Sequence, residues 1–577
     1  MHDLVIRSGN VIDGSGTPAQ QMDVAIDGDH ITAVGRSLGK GAREIDARGL
    51  LVTPGFVDFH THYDGQVTWD PYLSPSSLHG CTTVVMGNCG VGFAPAAPDR
   101  HEWLIALMEG VEDIPGAALS EGITWGWETF PEYLDVIDRN PHVIDFGTQI
   151  PHGALRAYVM GERGANNEDA TAQDIRAMYR IVREALDAGA LGFSTSRTLL
   201  HKSIDGVPVP GTFAARDELF GIGKALRDTR KGVYGLAIEH LQVPKEMSWL
   251  KELAVDTGRP VLFNFSQTDF KPKLYVKLLE MLDEARAAGI PLYGQCAGRA
   301  IGIMMNFAIT AHPFARHPSF MALGDMPYDR KLSVLRDPEF KRRLMDEKPV
   351  FENPFEALIA KGWGKMFVTE PEMDYEPSAD MSIKALAKAT GRRPQELAYE
   401  AMMVNDGRGF LYFPLFNYAN GNLDCLHTMH SHPQTRMGLS DGGAHCGAVC
   451  DGGMPTFMLT HWTRDRARGE RLPLEYVVMR QTSQSAHTYG LYDRGVLAPG
   501  YKADVNVIDY DNLALQRPEV VYDLPAGGRR LMQKATGYRY TICSGTVIRE
   551  DDAFTGKLPG RLVRGAQNAP SRSRAVA

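Results

Sequence analysis

Cysteine is scarce: the 577-residue chain has seven, at positions 81, 89, 296, 425, 446, 450 and 543. An odd, scattered set argues against a disulfide framework and for a reducing compartment. No window approaches the length of uncharged apolar sequence that a membrane span needs. The start, MHDLVIRSGNVIDGSG, has no cationic segment followed by an apolar one, so no secretory leader is expected. Charge is not concentrated either. The formal net charge of −9 is spread along the chain without a basic stripe or a long acidic tail, which excludes the usual footprint of a nucleic-acid binder. Internal repeats are absent. What remains is the expectation of a cytoplasmic, soluble protein with neither membrane nor nucleic acid as partner.

What is present points to a large mixed fold. The length exceeds what one simple core supports, so a large domain with a satellite is expected. The first fifty residues read as β structure, with DVAIDGDHITAVG forming two short alternating runs around Asp27-Gly28, a hairpin signal. GVLAPGYKADVNVIDYD and YRYTICSGTVIRE near the other end are again short β-rich runs, so the two termini are expected to pair. Between them strands and helices alternate. CTTVVMGNCG reads as a strand, and DATAQDIRAMYRIVREALDAGA as a helix with Ile175, Met178, Tyr179, Val182, Ala185 and Leu186 at helical spacing. Such alternation predicts an α/β protein built from βα units, with a closed barrel as the commonest large solution. Residues 313–435 read as long insertions over one barrel face, and the last ten residues as a disordered tail.

One short stretch carries chemistry. In PGFVDFHTHYDG, residues 54–65, Asp58, His60 and His62 recur every second residue at the end of an apolar run. Side chains at i and i+2 of a strand share a face, so the three would line one surface. Two imidazoles on one face can supply adjacent corners of a tetrahedral metal site.

Several motifs together resemble the amidohydrolase superfamily. LVIRSGNVIDG, DVAIDGDHITAVG and IDARGLLVTPGFVDFHTH look like its opening, and YDRGVLAPGYKADVNVID like its return into a β domain. Within it, VVMGNCGVGFAP (84–95), LMEGVEDIP (107–115), PHGALR (151–156), GALGFST (189–195) and MGLSDGGAH (437–445) resemble the N-acyl-D-amino-acid deacylases. The resemblance implies a distorted (β/α)8 TIM barrel beside a composite β-sandwich built from both termini, with the metal at the C-terminal mouth of the barrel. The expected boundaries are 1–53 and 481–567 for the sandwich, 54–480 for the barrel, and 568–577 for the tail.

The resemblance also implies roles. His60 and His62 fall on metal ligands, as does Cys89 in GNCG, whereas Cys81 starts the same strand and reads as structural. Asp441 in LSDGG falls on the metal-site carboxylate, which takes a proton from metal-bound water and delivers it to the leaving nitrogen. Two histidines of the deacylase pattern are missing: Ala237 stands at the first position, and Phe265 or Ser266 at the second. No lysine at these strand ends offers a carbamylated bridge. Either a register shift lets Glu239 or His240 substitute, or the site runs one divalent ion, with zinc expected, on His60, His62 and Asp441, and Cys89 as a further candidate. The single-metal site is preferred, since three protein ligands and a water complete a catalytic zinc shell.

Weaker candidates near the expected mouth are His152, Ser194, Arg197, His201, Gln267 and His445 for substrate, with Arg197 suited to a carboxylate. The run HTMHSHP (His427, His430, His432) reads as a surface or lid feature. The function expected is hydrolysis of a non-peptide C–N bond in a small molecule, an N-acyl-(D-)amino acid or related amide, by metal-bound hydroxide with Asp441 shuttling the proton. A lactone or cyclic-amide hydrolase or a lyase on the same barrel is the alternative, and a catalytically inactive binding protein the non-enzymatic one. Large enzymes of this kind are often symmetric, so a homo-oligomer is expected.

Overall fold

The computed structural model describes residues 1–239, 243–324, 326–352 and 354–571, excepting the side chains of 243–245, 354 and 355. The fold is mixed α/β.

Strands from both chain ends share one nine-stranded sheet. His2–Val11 pairs antiparallel with Gln20–Asp27, and that strand with His30–Gly35 across the Asp27-Gly28 turn. Gly28 has φ 59°, the left-handed region that a two-residue hairpin turn demands. Leu51–Pro54 pairs parallel with His2–Val11 on one side and antiparallel with Val505–Ile508 on the other, which joins the two ends of the chain. Alternation sets the inner face. Leu4 and Ile6, Val24 and Ile26, and Val505 and Val507 are spaced by two and bury into one cluster.

The middle of the chain carries nine parallel strands in sheets of three and six. The first sheet runs Phe56–Asp58, Cys81–Met86, Asp145–Thr148. The second runs Ile150–Pro151, Gly192–Ser196, Val233–Ala237, Val261–Asn264, Leu292–Cys296, Thr435–Met437. Only Gln149 separates the two sheets along the chain, and its N–H donates to Met86 O at 3.0 Å. At the opposite edge Thr61 forms a parallel bridge with Gly442. There Asp441 N–H donates to His60 O (3.1 Å) and His62 N–H to Gly442 O (2.8 Å). The strand extensions bearing His60, His62 and Asp441 are thereby zipped together.

Helices fill the connections. Ala172–Ala188 buries Met178, Val182, Ala185 and Leu186, four of the six apolar positions that its spacing predicted. Thr171 and Asp174 form a capping box at its start, which satisfies two otherwise unpaired N–H groups. Residues 313–435 hold helices and two strands, Leu411–Pro414 and Phe367–Val368, which complete a separate antiparallel sheet with Gly302–Met305 and have their own apolar cluster. The stretch DRKLSVLRDPEFKRRLMDE makes two helices, Tyr328–Leu335 and Pro338–Asp346, because Asp337 caps and Pro338 opens the second. Of the tail expected to be disordered, 568–577, residues 572–577 lie outside the described residues.

Candidate metal centre

His60 and His62 follow the strand Phe56–Asp58, and their ring centroids are 5.3 Å apart. Both are buried. Their Nε2 atoms turn toward one carboxylate oxygen: Asp441 Oδ1 lies 3.3 Å from His60 Nε2 and 3.7 Å from His62 Nε2. Cys89 Sγ is 3.4 Å from His60 Nε2. Ligand atoms of His60, His62 and Cys89 all lie within 4.8 Å of one another, and no other such group of three occurs among the described residues.

Backbone of uncommon shape delivers these groups. Cys89, Leu439, Asp441 and His445 have φ of 55°, 59°, 48° and 51°. The left-handed conformation costs an L-residue about 1–2 kcal/mol, and its clustering here marks a site that the surrounding fold holds by force. The Cys89 turn is pinned on both sides. Asn88 donates to Val85 O (3.0 Å) and Thr61 O (3.1 Å), and Ser194 Oγ accepts from Gly90 N–H (3.0 Å) while donating to Gly87 O (2.5 Å). Asp58 takes no place in the cluster. Its carboxylate accepts from Ser440 Oγ, one residue before Asp441, and so ties the carboxylate-bearing loop to the histidine strand.

Two buried residues outside the expected set stand behind the imidazoles. Gln295 Oε1 accepts from His60 Nδ1 at 3.0 Å, which puts the proton on Nδ1 and leaves the Nε2 lone pair toward the cluster. Glu112 Oε1 stands 3.2 Å from His62 Nδ1. Gln295 lies within the strand IPLYGQC, and Glu112 within the quoted GVEDIP, so a search for polar residues at strand ends and in the motif helix had a signal to follow.

Electrostatics separate the groups. Burial pushes the His60 imidazole down to about 4, so it is neutral and a lone-pair donor near neutral pH. Burial pushes the Cys89 thiol up to about 11, so its thiolate needs a cation beside it. Burial also acts to raise Asp441, but the imidazoles of His62, His60 and His445 outweigh it and hold the carboxyl well below the usual range. The donor set therefore fits a divalent ion: two buried imidazoles with converging Nε2 atoms, an ionised carboxylate, and a thiol whose deprotonation a cation would stabilise.

The remaining candidates divide. His201 lies beside the cluster, its Nδ1 3.1 Å from Ser196 Oγ, and burial with the nearby His445 and His62 imidazoles lowers it to about 3. His445 stands 3.6 Å from Glu112 Oε2 and is a quarter exposed. Four others have their polar atoms engaged within the protein. His152 is buried between Thr195 Oγ1 (2.8 Å) and Glu218 Oε1 (2.9 Å). Ser194 pins the Cys89 turn. Arg197 donates to the carbonyls of Gly211 and Ala214 and faces Glu246 at 3.4 Å. The Gln267 side chain donates to Pro272 O and accepts from Ala419 N–H. Glu239 accepts from Leu199 N–H at 3.0 Å and is not in the cluster, and His240 lies outside the described residues. Ala237 ends its strand and is buried; Phe265, just past the end of the next, is buried on the Phe263 face beside Leu282 of the helix Leu274–Ala287, and Ser266 after it is buried too. His427, His430 and His432 turn to three separate partners, Glu470, Ala297 O and Asp283.

A buried set of imidazoles, thiol and carboxylate at the C-terminal ends of parallel strands is the kind of donor set that metal-dependent hydrolases use. The chain belongs to the Amidohydrolase family, whose profile matches residues 43–549, and is an enzyme that hydrolyses carbon–nitrogen bonds other than peptide bonds. It is 25% identical over 564 residues to a D-aminoacylase of Alcaligenes xylosoxydans xylosoxydans, covering 97% of each chain. It is 27% identical over 519 residues to an N-acyl-D-aspartate deacylase of the same organism, covering 89% of this chain and 86% of that one. Its fold matches that of the N-acyl-D-glutamate deacylase of Bordetella bronchiseptica, solved with zinc and a phosphonate inhibitor, with a TM-score of 0.63, 22% identity, and 98% and 99% of the two chains covered.

Proposed function

We propose that this enzyme hydrolyses the amide of an N-acyl amino acid, of the D series by analogy with its relatives, at a single divalent ion. The observation that carries this reading is the meeting of His60 Nε2, His62 Nε2 and Asp441 Oδ1, with Cys89 Sγ beside them. These four residues would hold the ion, and zinc suits two imidazoles, a thiolate and a carboxylate. A divalent ion supplies Lewis acidity for the amide carbonyl and for the attacking water. The chain supplies the rest. Gln295 keeps His60 in the tautomer whose Nε2 faces the site. Asp441 receives the water proton at its carboxylate and returns it to the leaving nitrogen, so that the amine departs neutral. His201 and His445 flank the carboxylate and are the groups placed to contact substrate.

Eight strands closing into a barrel is the architecture proposed to support this. Nine parallel strands become eight when the two broken only at Gln149 are counted as one, and the Thr61–Gly442 bridge joins the first to the last. The composite β-sandwich is assigned to 1–53 and 481–567. A single ion is preferred over two because neither Ala237 nor Phe265 and Ser266 supplies an imidazole and no second cluster occurs among the described residues.

The test joins metal analysis to one substitution. Purified enzyme should carry about one divalent ion per chain and lose activity toward N-acyl-D-amino acids on chelation. Reaction in heavy-oxygen water should place solvent oxygen in the released carboxylate. Asp441→Asn, which cannot accept the proton, should lower kcat by about 10²–10⁴-fold. Full turnover by that variant, or by metal-free enzyme, would falsify the proposal.

A further inference from the structure

Glu112 sits where an anion is poorly placed. It is the last residue of helix His101–Glu112, at the negative end of the helix dipole, and is 1% exposed. Among the described residues neither carboxylate oxygen has a hydrogen-bond partner, and neither does His62 Nδ1, although Oε1 is 3.2 Å from that nitrogen. The second oxygen is 3.6 Å from His445 Nε2. Among the described residues no backbone N–H donates to the carboxylate, so the two imidazoles are the groups that can compensate it. A buried carboxylate without such compensation is disfavoured by several kcal/mol, and its presence at this spot calls for a partner on each side.

The backbone fits the same picture. His445 N–H donates to Glu112 O, and the next residue, Asp113, accepts from Gly447 N–H (3.0 Å) and from Thr310 Oγ1 (3.1 Å). Glu112 and Asp113 together thus grip the loop that starts at Asp441 and carries His445.

We infer that Glu112 is a positioning residue: Oε1, 3.2 Å from His62 Nδ1, would receive the proton of that nitrogen and so present Nε2 to the ion, while Oε2, 3.6 Å from His445 Nε2, keeps that imidazole beside the same carboxylate. The inference rests on the proposed metal site. It makes the Glu112–His62 pair the counterpart of the Gln295–His60 pair, with each ligand histidine oriented from behind by an oxygen. The two differ in charge. A carboxylate behind His62 makes it the more basic ligand, whereas the amide behind His60 only fixes direction.

The experiment is a zinc titration of metal-free enzyme against a chromophoric chelator, run on wild type, Glu112→Gln, Glu112→Ala and His445→Ala. Glu112→Gln keeps one carbonyl oxygen without the charge and should weaken zinc binding about 10-fold, and Glu112→Ala up to about 100-fold. His445→Ala leaves the His62 side intact and should stay within about threefold of wild type. The metal-free melting temperature, measured alongside, should be nearly the same for wild type and Glu112→Gln, which separates ligand orientation from general support of the fold. Unchanged zinc affinity in folded Glu112→Gln would overturn the inference, and this variant decides even where Glu112→Ala does not fold. Wild-type enzyme that binds no zinc would instead overturn the metal site itself.

Discussion

Glu218→Gln tests whether PHGALR is scaffold or substrate site. Glu218 and Arg156 are each 1% exposed, and Arg156 Nη1 lies 2.5 Å from both carboxylate oxygens. His152 Nε2 shares Oε1 at 2.9 Å. Removing the carboxylate charge leaves a buried guanidinium compensated by one backbone carbonyl, that of Glu168. Breaking a buried pair from one side costs about 3–5 kcal/mol. At about 2.1 cal/mol/K of unfolding entropy per residue, a chain of this length loses roughly 2.5–4 °C of Tm. Calorimetry reads that shift, and KM measured well below the transition should stay within about twofold of wild type. A Tm unchanged to within about 1 °C together with a raised KM would refute the structural assignment and return His152 to the substrate.

Other expectations follow the same geometry. Gly90 has φ +73°, and an added Cβ would lie 2.8 Å from Ser196 N and 2.9 Å from Thr195 Cα, both backbone. Gly90→Ala should therefore displace the Cys89 turn and lower zinc content and activity together, at a stability cost of about 1–2 kcal/mol for the left-handed conformation alone. Burial acts to raise the Glu376 carboxyl, but His461 and Arg466 outweigh it and bring it from 4.5 down to about 2. A depressed carboxyl stabilises the fold above its unfolded value, and this contribution fades as pH falls from 4.5 toward 2. In Glu376→Gln the drop in Tm between pH 6 and pH 3 should be smaller than in wild type, and an equal drop would sink the assignment. Asp441→Asn and the Glu112 series above complete the set.

Much of the outline was legible from local pattern. The Asp27-Gly28 hairpin, the helix at 172–188 and the pairing of β-rich ends rest on alternation, helical spacing and turn residues, all properties of neighbouring positions. His60 and His62 were legible for the same reason, since i and i+2 in an extended segment share a face whatever surrounds them. The polar candidates fared differently. Ser194 lies inside the strand Gly192–Ser196, and Arg197 and Gln267 just past strand ends, where sequence alone places a side chain near a mouth but cannot say what already holds it. Ser194 proved to pin a turn, and Arg197 to hold two carbonyls.

Local sequence determined which residue types the chain could bring to a metal: two imidazoles on one face of an extended segment, a thiol after the next strand, and no imidazole at positions 237, 265 or 266. Tertiary structure alone decided what they face. Asp441 meets His60 across nearly four hundred residues because the Thr61–Gly442 bridge sets two strand extensions side by side. Gln295 and Glu112 reach the backs of the two imidazoles from a different strand and a helix end. Which ring nitrogen is left free depends on those long-range contacts, and spacing along a chain carries no information about the group that will stand 3 Å behind a ring.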